Sequence, residues 1–436
     1  MDTRKKTVVI VDAYSSGNLL APALKERGYC CVHVQSTKEI LPIYASSFEE
    51  RDFIKNIKFQ GSLRELMGHL SSFEPLCVIA GIESGVLLAD ALSEALELQT
   101  NGTQLSSARR NKFKMHEVLE ENGVAFIPQF KSKNLHEIFK WVSTVKFSPV
   151  VLKPLHSAGT DCVFICSTPY EIENAFENII GKTNKLGLKN SEVLVQKYLK
   201  GTEYVVNTVS CDGRHMVSDI WQYKKQVLDG VPIYDAEELL PFQGEIQEKL
   251  CSYIFRVLDA LNIKYGPAHH EVMMTEEGPI LIEMGARLAG GGLPSVCKVL
   301  IGQNQVELTL DAYLNTERFM FYLENGLQIK KHGINVVLIS PQDGKLRSLP
   351  LVEQVKKLPS YYAIERMVAP DTQLYRTKDL FTAPGVIILM HRDREILWRD
   401  YEKIREFEND GFYDFYPPSR GHDGYKLVTK PAELNL

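Results

Sequence analysis

Residues 266–292 read GPAHHEVMMTEEGPILIEMGARLAGGG, and this stretch decides the fold. Two apolar runs, AHHEVMMT and PILIEM, flank a Gly-containing turn, which is the pattern of a β-hairpin. A three-residue loop of Glu276, Glu277 and Gly278 sets Thr275 opposite Pro279 and therefore Glu271 opposite Glu283. Side chains alternate along a strand, so Glu271, Glu283 and His269 share one face. Arg287 joins them if the strand direction persists. Facing carboxylates repel across a strand pair. A hard divalent cation carrying phosphate oxygens relieves that repulsion, because Mg²⁺ takes one or two carboxylates and leaves its other positions to substrate and water. The competing account is a pair of solvated carboxylates on an edge hairpin. His269 and His270 are adjacent and point to opposite faces, so they do not read as a shared metal site. His269 reads as a substrate contact or a support for one, and His270 as a packed residue.

Working outward, the chain begins with TVVIVDAY, a run suited to a strand buried on both faces. SSGN and the helical LLAPALKERG follow, then the strand YCCVHVQS. Ser15 and Ser16 read as residues near a helix cap, with phosphate binding the alternative. LCVIAG is another buried-type strand and leads into GIESGVLLADALSEALEL. Glu83 and Ser84 thus sit at the carboxyl end of a strand, where open α/β sheets place ligands; they read as substrate contacts or as caps of the helix. LQTNGTQLSSARRN reads as a linker. Lys112 lies in the first turn of the next helix, a poor match to the helix dipole, and reads as a solvated lysine or as one that faces an anion. PVVLKP carries Lys153 near a strand end. HSAGTD reads as a loop able to offer backbone N–H groups to phosphate, or as a plain hairpin loop, and it lacks the Walker pattern. Residues 226–241 read as loop-rich. EIQEKLCSYIFRVLDALN is an amphipathic helix leading into the hairpin. The runs GINVVLISP and GVIILMHRD suggest a final small α/β unit.

Size and charge limit the function classes. A chain of 436 residues accommodates about three typical domains. The net charge of −5, without a long basic run, argues against a nucleic-acid partner. No apolar stretch is long enough to span a bilayer. The first apolar run is too short for a signal peptide. The 8 cysteines are scattered without metal-site spacing and read as reduced thiols, so a cytoplasmic setting is expected.

Four elements now stand in one order: Lys112 before a helix, VVLKP with its small-residue loop, VQKYLKGTEYVV, and HHEVMM followed by ILIEMGARLAGG. Together they resemble the ATP-grasp superfamily. GIESGVLLADALSEAL, ARRNKFKMHEVL, GTEYVVNTVS and DIWQYKK are most similar to its L-amino-acid ligase (dipeptide synthetase) branch. The resemblance implies an α/β ATP-grasp fold with a Rossmann-like N-terminal domain (1–105), a small lobe (106–200), a large lobe (201–325) and a C-terminal α/β subdomain (326–436). It implies an ADP-forming carboxylate–amine ligase that joins two amino-acid-like substrates through an acyl-phosphate, with ATP and Mg²⁺ (or Mn²⁺) as cofactors. Small amino or carboxylic acids would be its substrates, and a homodimer its assembly. An ATP-grasp carboxylase working through carboxyphosphate and a non-catalytic ATP-binding regulator are the alternatives.

By the same resemblance Lys112 and Lys153 would contact ATP phosphates, and His156, Ser157, Gly159 and Thr160 would belong to a covering loop. Gln196, Lys197, Tyr198 and Leu199 would hold adenine and Glu203 the ribose. Glu271 and Glu283 would bind the metal, and Arg287 would steady the acyl-phosphate. Trp221 and Tyr223 would line the substrate pocket or pack in the core. Gly290 and Gly291 would leave that pocket room for a larger side chain. The chain departs from the family in two places: Glu-x-Asn-x-Arg becomes Glu283-Met284-Gly285-Ala286-Arg287, so the Asn ligand is missing, and the hinge position that is often Glu is Gln196, whose side-chain carbonyl can still accept from the adenine amino group.

Overall fold

The computed structural model describes residues 6–145, 148–155, 162–184, 187–228, 231–378 and 382–417. The anticipated opening strand is β1 (Thr7–Val11), and every residue of it is buried. With β2 (Cys30–Gln35), β3 (Lys55–Lys58) and β4 (Pro75–Ala80) it forms a parallel sheet of order β3-β2-β1-β4. The strand order reverses between β1 and β4, so the crevice beyond their carboxyl ends is the topological switch point, the usual ligand position in such sheets. The Ser15–Leu19 turn carries no side-chain cap; instead the Ser15 N–H donates to Ser47 Oγ at 2.8 Å.

A second, antiparallel sheet holds β5 (Gln129–Ser132), β6 (Val150–Pro154), β7 (Phe164–Cys166) and β8 (Val193–Lys197), in the order β5-β8-β6-β7. The largest sheet starts with β9 (Thr202–Cys211), β10 (Arg214–Leu228), β11 (Val231–Leu239), β12 (Gly266–Thr275) and β13 (Gly278–Gly285). It continues through β14 (His332–Val337), while β15 (Gly344–Ser348), β16 (Tyr361–Glu365), β17 (Gln373–Leu374), β18 (Val386–His391) and β19 (Asp414–Phe415) complete the chain. Its order is β13-β12-β9-β10-β11-β14-β18-β16, and β17-β15-β19 form a separate small sheet. The last unit therefore shares one hydrogen-bonded sheet with the lobe before it; 326 stands as a proposed division, not a break in the ladder.

Period-two alternation sets the two faces of the large sheet. Tyr204, Val206, Ile220, Val272 and Leu281 pack on the helix Glu245–Ala260 through Leu250, Ile254 and Val257. Val205, Trp221 and Leu239 pack on the other face against the helix Leu293–Ile301. Glu203, His269 and Glu271 share this second face by parity, so the site lies on the Trp221 side of the sheet.

Two expectations need correction. Residues 226–241 are not loop-rich: β10 and β11 form a long antiparallel hairpin. Its acidic residues disfavour a strand by propensity, but distant cations hold them. Arg405 lies 2.6 Å from Asp235 and Arg394 2.6 Å from Glu238, both arginines coming from the helix Arg394–Asn409. The stretch 98–111 is also more than a linker. Arg109 is fully buried. Its guanidinium donates to Asp90 Oδ2 (2.9 Å) and to the carbonyls of Asn101, Gly102, Leu261 and Asn262. A guanidinium has five N–H donors, and here each meets an acceptor. One residue thereby fastens the helix Val86–Ala95 to the end of the helix Glu245–Ala260.

Candidate active site

The hairpin pairs Glu271 with Glu283, but by another route than a three-residue loop. Thr275 pairs with Gly278, so the turn is only Glu276–Glu277. The register then shifts at Glu271/Val272, where Val272 pairs with Leu281 and Glu271 with Glu283, leaving Ile282 as the extra residue of a β-bulge. A turn one residue shorter and a bulge one residue longer cancel, and the carboxylates still face each other. Bulges commonly re-aim side chains beside active sites. This one is tied down from below. His116 Nδ1 accepts from the Ile127 N–H (3.3 Å), so its Nε2–H is directed at the Ile282 carbonyl at 3.5 Å. His116 belongs to the helix Lys112–Glu121, which also carries Lys112.

Cations converge on the pair. Lys112 Nζ lies 2.5 Å from Glu283 Oε2. The anion expected to face Lys112 is therefore a carboxylate of the hairpin itself. Lys153 is buried, and its ammonium is pushed down to about 8 by burial and by Lys112 beside it, with Glu283 and Glu271 opposing. Burial works against charge on Glu283, but Lys112, Lys153 and Arg287 hold it below the ordinary carboxylate range. Glu271 goes the other way: burial and the neighbouring Glu283 push it up to about 7. Two like groups in contact split in this manner. His269 lies 3.7 Å from Glu271. It is oriented by Asn207 Oδ1 at 2.8 Å, while Asn207 donates to Asp219 at 2.5 Å. Burial and Arg287 keep its ring neutral, pushing it down to about 3. His270 points to the opposite face, is fully buried, and meets the Val206 carbonyl at 2.7 Å.

A metal with phosphate oxygens fits this donor set. The hard oxygens of Glu271 and Glu283 face each other, and among the described residues no group of three His, Cys, Asp or Glu side chains could hold an ion alone. A site of two carboxylates that needs substrate oxygens to complete it suits a magnesium-type ion. A carboxylate must be ionised to bind it. With Glu271 titrating near 7, Mn²⁺ or Mg²⁺ affinity of the free protein should fall about tenfold per pH unit as the pH drops below about 7, and level off above. Calorimetric titration with Mn²⁺ from pH 5.5 to 8.5 checks this, and Glu271→Gln should flatten the profile.

Glu83 and Ser84 lie at the switch point. Ser84 Oγ donates to Asp12 Oδ2 at 2.5 Å, joining the ends of β1 and β4. Glu83 accepts from Arg110 at 2.7 Å and lies 3.3 Å from Arg287 Nε. A cavity of about 680 Å³ opens beside them, lined by Tyr14, Tyr44, Glu83, Ser84, Leu87 and Arg110.

An ATP-grasp domain model matches residues 146–295. The chain is 37% identical over 416 residues to dapdiamide A synthase of Enterobacter agglomerans, covering 94% of this chain and 97% of that protein. The chain belongs to the ATP-grasp superfamily. Among solved structures, an L-amino acid ligase from Bacillus licheniformis superimposes with a TM-score of 0.72 at 18% identity, covering 93% and 98% of the two chains. An ADP complex of N5-carboxyaminoimidazole ribonucleotide synthetase gives 0.65 at 16% identity, over 93% and 99%. The activity is ATP-dependent amide-bond ligation.

In this ATP-grasp framework the nucleotide side of the site is compact. Lys197 and Tyr198 spend their N–H groups on the Pro128 and Pro149 carbonyls, at 3.0 and 3.3 Å. Gln196 is buried and gives its side-chain N–H to Gln129 Oε1 at 3.0 Å. Glu203 is buried, 2.5 Å from Lys225 and 3.4 Å from the Tyr234 hydroxyl. His156, Ser157, Gly159 and Thr160 lie outside the described residues.

Trp221 is fully buried, donates to Asp219 at 2.8 Å and packs with Val205, Leu239 and Leu300; it is a core residue. Tyr223, two residues on, meets Tyr234 edge to face at 5.1 Å and feels the charges of Glu237, Glu271 and Glu203. The run 290–292 has mixed causes. Gly291 and Gly292 adopt φ of 67° and 74°, which disfavour other residues. Gly292 starts the helix Leu293–Ile301. Gly290 has no such φ, and a Cβ there would meet nothing within 4 Å.

Sequence reasoning missed Arg110, Lys225 and Glu237. Arg110 stands two residues before Lys112 but lay in the supposed linker. Glu237 lay in the supposed loop; it accepts from Asn335 at 3.1 Å, and burial raises it while Arg366 opposes. Only strand parity in β10 and β11 would have placed Lys225 and Glu237 on the Tyr223 face.

Proposed function

We propose that this protein activates one amino-acid-like carboxylic acid with ATP and passes the acyl group to the amine of a second amino acid, giving a dipeptide-like amide, as in peptide-antibiotic metabolism. The observation that carries this reading is the convergence of Lys112, Lys153 and Arg287 on the facing Glu271 and Glu283. Phosphoryl transfer asks for positioning and charge neutralisation, not for a protein nucleophile. A substrate carboxylate oxygen attacks the γ-phosphorus, and the bond to the β-phosphate oxygen breaks to release ADP. The amine then attacks the acyl carbon, phosphate leaves, and the nitrogen loses a proton.

Each residue has a place in that sequence. Lys112 and Lys153 neutralise the transferring phosphoryl group, and Leu199 with Glu203 holds the nucleoside. Arg287 steadies the acyl-phosphate through its planar fork. Glu271 and Glu283 would hold Mg²⁺, or Mn²⁺, which when bound polarises the phosphoryl oxygens. The 680 Å³ cavity beside Glu83 and Ser84 is the proposed berth for a substrate side chain. A homodimer in the cytoplasm is proposed by analogy with the superfamily, and sedimentation would report the assembly.

A phosphate-release screen over pairs of amino acids and small carboxylic acids, with mass spectrometry of the products, tests the reading. A product of mass equal to both substrates less water supports it. ADP release that follows bicarbonate instead would sink it in favour of a carboxylase. Gly290, unlike Gly291, can take a side chain without backbone strain. Gly290→Trp should narrow the accepted partners to small residues, and an unchanged product spectrum would remove Gly290 from the pocket.

A further inference from the structure

Gly285 stands where the Glu-x-Asn-x-Arg pattern has its Asn, and the backbone does not demand a glycine there, since it is not among the residues of positive φ. Space demands it. A Cβ at residue 285 would come 2.6 Å from Glu83 Oε2 and 3.1 Å from Arg287 Nε. Glu83 arrives from the switch point of the N-terminal sheet, held through Oε1 by Arg110, and its Oε2 is buried with no hydrogen-bond partner among the described residues. That oxygen lies 3.3 Å from Arg287 Nε.

We infer that Glu83 is a positioning residue that has taken over the volume of the missing side chain at 285 and fixes Arg287 for catalysis. The charge arrangement gives the reason. Arg287 also feels Glu271 and Glu283. Without a nearer anion it would fold down onto them and cancel the carboxylates meant for the metal. Glu83 draws Nε aside, and the Leu288 carbonyl takes one Nη1 hydrogen at 2.8 Å. Among the described residues the other guanidinium hydrogens meet no acceptor, and we assign them to an anionic substrate. Arg110, Glu83 and Arg287 together keep one net positive charge, so the trio can still attract a carboxylate or acyl-phosphate. An Asn at 285 and the Glu83 carboxylate as Arg110 holds it compete for the same space, so one of them must shift.

This inference rests on the ligase reading, and its test is a double-mutant cycle with both outcomes readable. Gly285→Asn and Glu83→Ala should each lower kcat for ADP release by about tenfold or more, with the KM for ATP changed by less than about threefold. The pair together should recover at least about tenfold over Gly285→Asn, because the Asn then enters freed space. Calorimetric ADP·Mn²⁺ affinity should stay within about threefold throughout, which reports an intact nucleotide site independently of turnover. Glu83→Gln, which keeps the shape and removes the charge, should lower kcat as Glu83→Ala does. Additive losses in the double variant, or full activity of Glu83→Gln, would overturn the inference while leaving the ligase reading intact. Full activity of Arg287→Ala would overturn both.

Discussion

Replacing Glu283 with alanine should cut ATP-dependent phosphate release by about a thousandfold or more, and Arg287→Ala should do nearly as much. Removing Glu283 takes from Lys112 the carboxylate 2.5 Å away and leaves Glu271 as the hairpin carboxylate that balances it and the buried Lys153. It also removes half of the carboxylate pair that would hold the metal. Arg287 differs, because nucleotide binding alone does not require it. An arginine that meets the transferring or acylated phosphate is worth about 10³–10⁵ in rate. The expected signature is therefore weakened ADP·Mn²⁺ binding in Glu283→Ala and nearly normal binding in Arg287→Ala, both with negligible turnover. Phosphate release that survives both changes would mean the hairpin is not the reaction centre.

The largest stability effect should come from Arg109→Ala, remote from the chemistry. The Arg109–Asp90 pair has side chains 0% and 9% exposed, so solvent screens it little. Removing one partner of such a pair costs about 3–5 kcal/mol. Here the loss also takes the guanidinium donor from the carbonyls of Gly102, Leu261 and Asn262, and leaves Asn101 only the Asn262 Nδ2 at 3.4 Å. Urea unfolding followed by circular dichroism should show the drop. Arg109→Lys should recover little of it, because a lysine cannot fill the planar fork. A variant as stable as the parent would show that the N-terminal unit is held by other means.

Much of the architecture was legible because burial writes itself into periodicity. The run TVVIV became a fully buried central strand, and the alternation in residues 266–285 correctly placed Glu271, Glu283 and His269 on one face. Those are local consequences of two-residue side-chain spacing, and they survive even an error in the turn. Where acidic residues filled a strand, local propensity misled. Asp235 and Glu238 are stabilised by Arg405 and Arg394, more than 150 residues away in the chain, and no local rule sees such partners.

By itself the sequence determined the buried parallel start and the paired carboxylates of the hairpin, each of which depends on spacing along one strand; the roles of the lysines and the arginine beside them came from the resemblance to the ATP-grasp superfamily. Only the tertiary structure decided how the turn and the Ile282 bulge cancel, why the stretch before Lys112 is a buried clamp, and what fills the space at Gly285. Those depend on groups brought together across the fold: His116 beneath the bulge, Asp90 against Arg109, and the Glu83 carboxylate lying where a side chain at 285 would have been.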